Sequence, residues 1–290
     1  MKLLDIPRDA QPHTWMYELN DPHTANPHRH GNTILSDAQA DEVSETGAFV
    51  WRGLLSSEEV ENCAAGIREI EDAEMSSGSF GKRVSKSYPG NYLRDIHKST
   101  TKVHGIIRNP LLLGTLRHLL GPKISLRAFS ARTTYIDGKT QTRWHRDQRS
   151  STNPKPPVWS NANDISVLIY LTPANEETGA FEYIPNSHTN GINLDEAQVY
   201  LDHKDSIKVT CKPGDAIVSH SSLYHRSTAP SQIKLEINRS LLILHFGPNY
   251  YCRQEYENIK TAHLDKALIQ QAEDTNDYET LELLTYSGTM

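Results

Sequence analysis

The sequence has few of the residues that define several common classes of protein. Cysteine occurs only 3 times in 290 residues, at Cys63, Cys211 and Cys252. These positions are too few and too far apart to predict a disulfide framework or a zinc site built from thiolates. Any metal bound by this chain is therefore expected to have nitrogen and oxygen ligands.

Long hydrophobic runs and an excess of positive charge are also missing. The densest apolar stretches, residues 111–120 and 167–171, fall short of the roughly 18 residues needed to span a bilayer. Acidic residues (36) outnumber basic ones (30), giving a net charge of -6, which disfavours nucleic acid and anionic lipid as partners. The first residues lack the apolar core of a secretory signal. We expect a soluble, cytoplasmic protein with no nucleic-acid or membrane partner.

Histidine is the residue type present in excess, with 14 copies. Four of them lie within residues 1–46, a polar stretch with Asn-Pro and Asp-Pro steps and no apolar periodicity. We interpret this stretch as an irregular N-terminal arm that supplies no metal ligand. Residues 47–290 are predicted to form a single domain, because no linker or internal repeat divides them.

The rest of the chain predicts a mainly β fold with flanking helices. Residues 47–55 predict a strand that leads into an amphipathic helix, and a Leu-rich helix follows Asn109. From about residue 123 to 248, short apolar runs alternate with turn residues, a pattern typical of an antiparallel double sheet or barrel. Residues 259–286 return to a helical composition.

Three His-x-Asp pairs stand out, at His145/Asp147, His203/Asp205 and His263/Asp265. Residues two apart on an extended strand leave it on the same face, so the first pair, within residues 142–149, can supply two ligands of a 2-His-1-carboxylate iron site. The second pair lies in a hydrophilic stretch. The third lies in a helical pattern, where residues two apart point about 200° apart. We interpret these two pairs as surface residues.

A further histidine ligand has to come from downstream of Asp147. His188 follows a turn, and His245 continues an apolar strand where a core histidine fits equally well. His220 and His225 share one segment, and their spacing of five places them on opposite faces of a straight strand. Only one of these two is expected to bind the metal.

Arg239 begins an otherwise apolar strand. In alternation with Leu241 and Ile243 it should point into the core, where a guanidinium without an anion is costly. A dicarboxylate cosubstrate that chelates the iron could supply that anion through its far carboxylate. The alternative is a salt bridge to an internal Asp or Glu.

Four segments resemble the phytanoyl-CoA dioxygenase (PhyH) family of iron(II)- and 2-oxoglutarate-dependent oxygenases, in the family's order over about residues 47–248. They are GAFVWRGLLSSEEVENCAAGIREI, WHRDQ at 144–148, TGAFEYIPNSH at 178–188, and PGDAIVSHSSLYHRS together with Arg239. The resemblance implies a double-stranded β-helix, the jelly roll also found in cupins.

The resemblance also implies the site. Fe(II) would be bound by His145, Asp147 and His225, and Arg239 would bind the 5-carboxylate of 2-oxoglutarate. Ser227 and Thr142 match positions at which some relatives contact the cosubstrate. The implied reaction consumes O2 and 2-oxoglutarate, releases succinate and CO2, and oxidises, most simply hydroxylates, an unactivated C–H bond. Halogenation is not expected, since halogenating relatives have Gly or Ala where this chain has a carboxylate.

The substrate is predicted to be a small molecule with an anionic group, such as an amino-acid derivative or a secondary metabolite. Arg143 and Arg149 share the face of the ligand pair, and one of them is predicted to contact that anion unless both are solvated loop residues. Trp159, Tyr170 and Tyr224 could form apolar walls, and Arg94 could line the mouth.

Two other functions remain open at this point. A cupin-like metal enzyme that does not use 2-oxoglutarate would give Arg239 no role. A catalytically silent jelly-roll binding protein would be expected to have lost a metal ligand, and this chain keeps all three implied ones. The oligomeric state is not predicted.

Overall fold

A computed structural model describes residues 35, 37–80, 90–121, 124–134, 141–147, 164–189, 192–231, 238–248 and 266–284. Its α-helices are α1 (Asp37–Thr46), α2 (Ser57–Ser76), α3 (His104–Ile107), α4 (Pro110–Leu120), α5 (Lys266–Asp274) and α6 (Tyr278–Leu284). Short 3-10 helices span Ile96–Lys98, Thr101–Val103 and Gln198–Tyr200. The strands are β1 (Ala48–Trp51), β2 (Asn91–Arg94), β3 (Ile124–Thr134), β4 (Ile165–Tyr170), β5 (Phe181–Tyr183), β6 (Ile207–Val209), β7 (Ala216–His220), β8 (His225–Ser227) and β9 (Arg239–Pro248).

Helix α1 corrects the prediction of an irregular arm as far as residue 46. Its sequence, DAQADEVSET, contains a single apolar residue larger than alanine, Val43, which is buried. One such residue cannot produce the repeating apolar pattern by which a helix is identified in a sequence. The rest of the predicted arm, residues 1–34 and 36, lies outside the described residues.

The helices predicted from capping signals are confirmed. The Ser56 hydroxyl accepts from the Glu59 backbone N–H, and the Glu59 carboxylate accepts from the Ser56 N–H at 2.8 Å, which completes a capping box at the start of α2. The Asn109 side chain accepts from two N–H groups of the first turn of α4, and Pro110 occupies the first helical position.

The strands form two antiparallel sheets. The major sheet has the order β1-β7-β4-β9-β3-β2, and the minor sheet has the order β6-β5-β8. Strands β1 and β2 come from before residue 123, so the sheets extend beyond the predicted β region of 123–248. Strand β1 confirms the strand predicted within residues 47–55. Strand β2 was harder to identify in the sequence because it has only 4 residues.

Alternate side chains of β4 pack into two different hydrophobic cores, one on each face of the major sheet. Ile165, Val167 and Ile169 pack into a large core shared with the helices, whereas Leu168 and Tyr170 pack with residues of the minor sheet such as Phe181. The helices therefore cover one face of the major sheet and the minor sheet faces the other. This second interface contains the cavity described below.

The C-terminal helices α5 and α6 confirm the helical prediction for this part of the chain over residues 266–284. Leu283 and Leu284 at the end of α6 belong to the large core. Across the described ranges, none of the helices combines the length and apolar character that a membrane crossing requires.

Candidate active site

Three potential metal ligands converge at one end of the minor sheet. The Nε2 atoms of His145 and His225 each lie 3.8 Å from Oδ1 of Asp147, and one ligand atom from each residue lies within 4.8 Å of the others. Strand β8 positions His225, and backbone hydrogen bonds of 3.0 Å in both directions pair it with His145. No other such group of three His, Cys, Asp or Glu residues occurs among the described residues.

The segment that carries His145 and Asp147 is not the regular strand that the sequence predicts. Within residues 141–147 only His145 forms a β-bridge, to His225. The segment is instead held by the side chains on either side of His145. Trp144 is fully buried and donates to the Leu201 carbonyl at 2.8 Å, and Arg146 donates to the carbonyls of Ser187 and Ile192.

Both histidines are held in the same tautomer by backbone carbonyls. Nδ1 of His145 lies 2.9 Å from the Arg143 carbonyl, and Nδ1 of His225 lies 3.1 Å from the Leu223 carbonyl. A carbonyl can only accept a hydrogen bond, so each Nδ1 carries the hydrogen and each neutral ring has its lone pair on Nε2. Both lone pairs thus belong to the atoms that lie near Asp147, the arrangement that metal-ligating histidines require.

The electrostatics favour the protonation states of metal ligands. Burial, reinforced by His225, lowers the pKa of His145 to about 4, so its imidazole is neutral at physiological pH. Burial alone would raise the pKa of the Asp147 carboxyl, but His225, His245, His145 and a hydrogen bond from Ser166 outweigh it and lower the pKa to about 2. His145 is therefore a neutral imidazole and Asp147 is a carboxylate, the forms in which both side chains bind a metal.

Arg239 points into the cavity, as its alternation with Leu241 and Ile243 predicts, and is only 3% exposed. Its Nη1 donates to the Gly179 carbonyl at 2.7 Å, and its Nη2 lies 3.5 Å from the Thr134 hydroxyl. Gly179 has a φ of 89°, and a Cβ there would lie 2.6 Å from Nη1. A glycine is therefore needed for this close approach.

The alternative partner for Arg239, an internal carboxylate, is not found within the described part of the chain. Its Nε is buried and has no hydrogen-bond partner there, and burial lowers its pKa. Arg226, which also reaches the cavity, differs because it pairs with Glu182 at 2.6 Å and with Asp202 at 2.5 Å. The guanidinium of Arg226 is thus already neutralised by carboxylates, whereas the guanidinium of Arg239 can still bind an anion.

The ligand group and Arg239 share one cavity of about 320 Å³. Its lining comprises Tyr92, Arg94, Arg132, Thr142, His145, Asp147, Leu168, Tyr170, Phe181, His225, Arg226, Ser227, Arg239, Leu241, Ile243 and His245. Thr142 and Ser227 lie together: the Ser227 N–H donates to the Thr142 hydroxyl at 2.7 Å. The Ser227 hydroxyl oxygen is buried without a partner among the described residues, so it remains available to a ligand.

The residues predicted to contact the substrate have different outcomes. Arg94 and Tyr170 line the cavity. Arg143 does not: it is exposed and absent from the lining, because the period-2 face of a strand does not apply to an irregular segment. Tyr224 is also not a cavity wall, since its hydroxyl accepts from the Leu194 N–H and its ring packs under the Arg146 guanidinium. Arg149 and Trp159 lie outside the described residues.

The neighbouring histidines His188 and His220 and the His203/Asp205 pair do not line the cavity. The rings of His220 and His188 lie 5.1 Å apart between centroids with their planes tilted by 40°, and both residues are buried. His203 accepts from the Asp205 N–H within an exposed turn, in agreement with the interpretation of this pair as surface residues. His263 and Asp265 lie outside the described residues.

The sequence interpretation assigned no role to Arg132, Asp164 or Ser166, which lie in or beside the cavity, and it considered His245 only as a possible ligand or core histidine. One signal was available. Asp164 and Ser166 alternate with Leu168 and Tyr170 along an apolar stretch, so they belong to one strand face. Polar residues on the inner face of a buried strand indicate a site or a buried network.

Comparisons with known proteins agree with this geometry. The chain is 24% identical over 245 residues to the dioxygenase cdmD of Talaromyces verruculosus, covering 74% of this chain and 76% of that protein. The crystal structure of HygX from Streptomyces hygroscopicus with nickel and 2-oxoglutarate bound matches with a TM-score of 0.60 at 15% identity, covering 75% and 88% of the two chains. The non-heme α-ketoglutarate-dependent epimerase SnoN from nogalamycin biosynthesis matches with a TM-score of 0.58 at 15% identity, covering 74% and 81%.

The structural matches confirm the jelly-roll fold. The sequence profile described as phytanoyl-CoA dioxygenase (PhyH) matches residues 43–232, well over half of the 290 residues. The chain therefore belongs to the phytanoyl-CoA dioxygenase family and is a 2-oxoglutarate-dependent dioxygenase.

Proposed function

We propose that His145, Asp147 and His225 bind iron(II), that Arg239 binds the distal carboxylate of 2-oxoglutarate, and that the enzyme hydroxylates an unactivated C–H bond of a small molecule. The observation that carries this proposal is the convergence of the three ligand atoms and a buried arginine without a carboxylate partner in one cavity.

The donor set fits the metal. Two imidazole lone pairs and one carboxylate on one side of an ion form the facial triad of non-heme iron(II) oxygenases, which leaves open positions for cosubstrate and oxygen. The cavity also fits the cosubstrate. The Nε atom of Arg239 and the hydroxyl of Ser227 are buried polar atoms without a described partner, and ligand oxygens would remove the cost of leaving them unpaired.

Iron and 2-oxoglutarate, when bound, would supply the oxidative chemistry: one O2 would be consumed as 2-oxoglutarate is converted to succinate and CO2 and the substrate is hydroxylated. The chain's own residues hold these groups in place. His145 and His225 present lone pairs selected by backbone carbonyls, and Arg239 offers a charged donor in the same cavity. Apolar side chains at Leu168, Phe181 and Leu241 limit water around the reacting C–H bond.

The substrate proposed here is a secondary metabolite or amino-acid derivative with an anionic group. Its size is supported by the cavity volume of about 320 Å³, near the lower end of the range for small-molecule sites. Its charge is supported by Arg94, which lies at the cavity with its guanidinium 5.7 Å from the centre of the Tyr92 ring. The matched structures include HygX with hygromycin B bound and SnoN in complex with nogalamycin RO, which supports natural-product modification as the function of this chain.

The test compares two arginines of the same cavity. Anaerobic protein is mixed with Fe(II) and titrated with 2-oxoglutarate, and the weak visible metal-to-ligand charge-transfer band of the chelate is followed. Arg239→Gln is expected to raise the Kd for 2-oxoglutarate about 10- to 100-fold, the range for losing a hydrogen bond to a charged group. Arg94→Gln is expected to leave that Kd unchanged.

Two results would contradict the proposal. A wild-type protein that binds Fe(II) but gives no band would favour a cupin-like enzyme that does not use 2-oxoglutarate. If Arg239→Gln leaves the Kd for 2-oxoglutarate unchanged, Arg239 does not bind the distal carboxylate of 2-oxoglutarate. Once a substrate is found by measuring 2-oxoglutarate consumption with candidate metabolites, Arg94→Gln should raise its KM.

A further inference from the structure

A buried polar network lies directly behind the carboxylate of Asp147. Ser166 on β4 and His245 on β9 are partners across two neighbouring strands. The Ser166 hydroxyl lies 2.7 Å from Oδ2 of Asp147, 3.2 Å from the Ser221 hydroxyl and 3.3 Å from Nδ1 of His245. The network therefore contacts Oδ2 of Asp147, whereas the two histidines lie near its Oδ1.

The hydrogens in this network can be assigned from its acceptors. The Ser166 hydrogen goes to the ionised carboxylate of Asp147, which can only accept. The Ser221 hydrogen goes in the same way to Oδ1 of Asp164. Nδ1 of His245 then faces two acceptors, Oδ1 of Asp164 at 3.2 Å and the Ser166 oxygen at 3.3 Å. It therefore carries a hydrogen and orients the Ser166 oxygen.

The far end of the network is an ion pair with no exposure. Arg127 donates to Oδ2 of Asp164 at 2.9 Å, and both side chains are 0% exposed. Its other terminal nitrogen donates to the Pro248 carbonyl at 3.2 Å. A Cβ at Gly247 would lie 1.9 Å from the Arg127 guanidinium carbon. Position 247 therefore requires a glycine so that the guanidinium can pack against the backbone there. A charged anchor of this kind fixes the Asp164 carboxylate in a single position.

We propose that Ser166 and His245 are positioning residues that set how Asp147 binds its metal. By holding Oδ2, they leave Oδ1 as the oxygen directed toward the Nε2 atoms of the two histidines. The carboxylate then binds through one oxygen, which keeps coordination positions open for the cosubstrate. The inference rests on the metal site proposed above and extends it to residues of the major sheet.

The expected size of the effect follows from comparable metal sites. Removing a hydrogen-bond partner of a metal ligand typically weakens metal affinity 10- to 100-fold. Ser166→Ala deletes the bond to Asp147 directly. His245→Leu removes only the group that orients Ser166, so its effect should be smaller. Because both act through one hydroxyl, their effects should not multiply in the double variant.

The experiment is a calorimetric titration of the protein with Co(II) alone, without 2-oxoglutarate or substrate. Ser166→Ala is expected to raise the Kd for Co(II) about 10- to 100-fold, and the double variant with His245→Leu is expected to bind no more weakly than Ser166→Ala. Ser166→Cys, which keeps a donor of similar shape but is somewhat larger and donates weakly, should lie between wild type and Ser166→Ala. Ser125→Ala is the control, since Ser125 is a fully buried serine on β3 whose hydroxyl, among the described residues, contacts the Gly247 carbonyl and not the network behind Asp147.

The outcomes separate this inference from the proposed function. If wild type binds Co(II) and Ser166→Ala or Ser166→Cys, folded by thermal melting, binds it equally well, the positioning role is wrong and the metal site stands. If the effects of Ser166→Ala and His245→Leu on the Kd for Co(II) multiply in the double variant, the two residues act independently. The proposal that His245 acts through the Ser166 hydroxyl is then wrong. If wild type binds no Co(II), the metal site itself is wrong and the inference falls with it.

Discussion

Two pairs of neighbouring histidines differ in what surrounds them. The rings of His145 and His225 lie 4.3 Å apart, and those of His188 and His220 lie 5.1 Å apart. Asp147 completes the first pair, whereas no third His, Cys, Asp or Glu from the described ranges completes a group with the second. Proximity of two imidazoles is therefore not sufficient for a metal site.

The backbone also selects opposite tautomers at His220 and His225. Nδ1 of His225 faces the Leu223 carbonyl, so it carries the hydrogen and Nε2 has the lone pair. Nδ1 of His220 accepts from the Ser222 N–H at 3.0 Å, so a neutral His220 carries its hydrogen on Nε2. Only five residues separate them, yet only His225 has its lone pair on the nitrogen that faces Asp147. Local backbone contacts thus distinguish a ligand from a packing residue.

Replacing one histidine from each pair tests this distinction with the largest expected effect. His225→Ala should weaken Co(II) binding by more than about 100-fold, because losing a ligand exceeds the effect of losing its supporting contacts. His220→Ala should leave Co(II) affinity unchanged and lower the melting temperature, since it opens a cavity in a packed region. Calorimetry and thermal melting measure the two effects. Equal losses of metal affinity would refute the assigned roles.

The dependence of stability on pH provides a second test. Because burial lowers the pKa of His145 from 6.5 to about 4, the unfolded chain binds a proton between these values that the folded metal-free protein does not. Stability should therefore be full above pH 6.5 and fall by on the order of 3 kcal/mol as the pH drops to about 4.

The measurement is chemical denaturation of the protein in a chelator at several pH values. His145→Gln should reduce the slope between pH 6.5 and 4, above the range in which Asp147 titrates with its pKa of about 2. An unchanged slope in His145→Gln would mean that the imidazole is not held neutral by burial.

Much of the fold could be predicted because the signals are local. Ser56 and Asn109 mark helix starts through contacts within one turn. The inward orientation of Arg239 could be predicted because β9 is a regular strand of 10 residues, in which successive side chains alternate between the two faces. Helix α1 could not be recognised because its stability depends on packing of Leu35 and Val43 against the rest of the core.

The site was harder to predict because part of it depends on tertiary contacts. The alternation that correctly pairs His145 with Asp147 places Arg143 on the same face, but residues 141–147 form only one bridge and Arg143 turns to solvent. The choice between His220 and His225 depends on hydrogen bonds to Leu223 and Ser222 that neither spacing nor composition reveals. The family resemblance supplied that choice in the sequence interpretation.

The smallest expected effect concerns the packing of the second histidine pair. Gly47 has a φ of 93°, and a Cβ there would lie 2.6 Å from both His188 Nδ1 and Leu223 Cδ1. Its carbonyl accepts from the His220 N–H at 2.8 Å, so it cannot shift without affecting that residue. Gly47→Ala should therefore lower the free energy of unfolding by about 2 kcal/mol or more, from backbone strain and steric overlap together.

Gly53→Ala is the matched control, because Gly53 also has a positive φ, of 62°, but a Cβ there meets no atom within 4 Å. It should cost only the backbone strain of about 1 kcal/mol, so the difference between the two variants measures the overlap with His188 and Leu223. Denaturant unfolding gives both values, and Co(II) titration should find wild-type affinity in both variants. If Gly47→Ala instead weakened Co(II) binding as strongly as His225→Ala, the two histidine pairs would be coupled and the second would be part of the metal site rather than of the packing beside it.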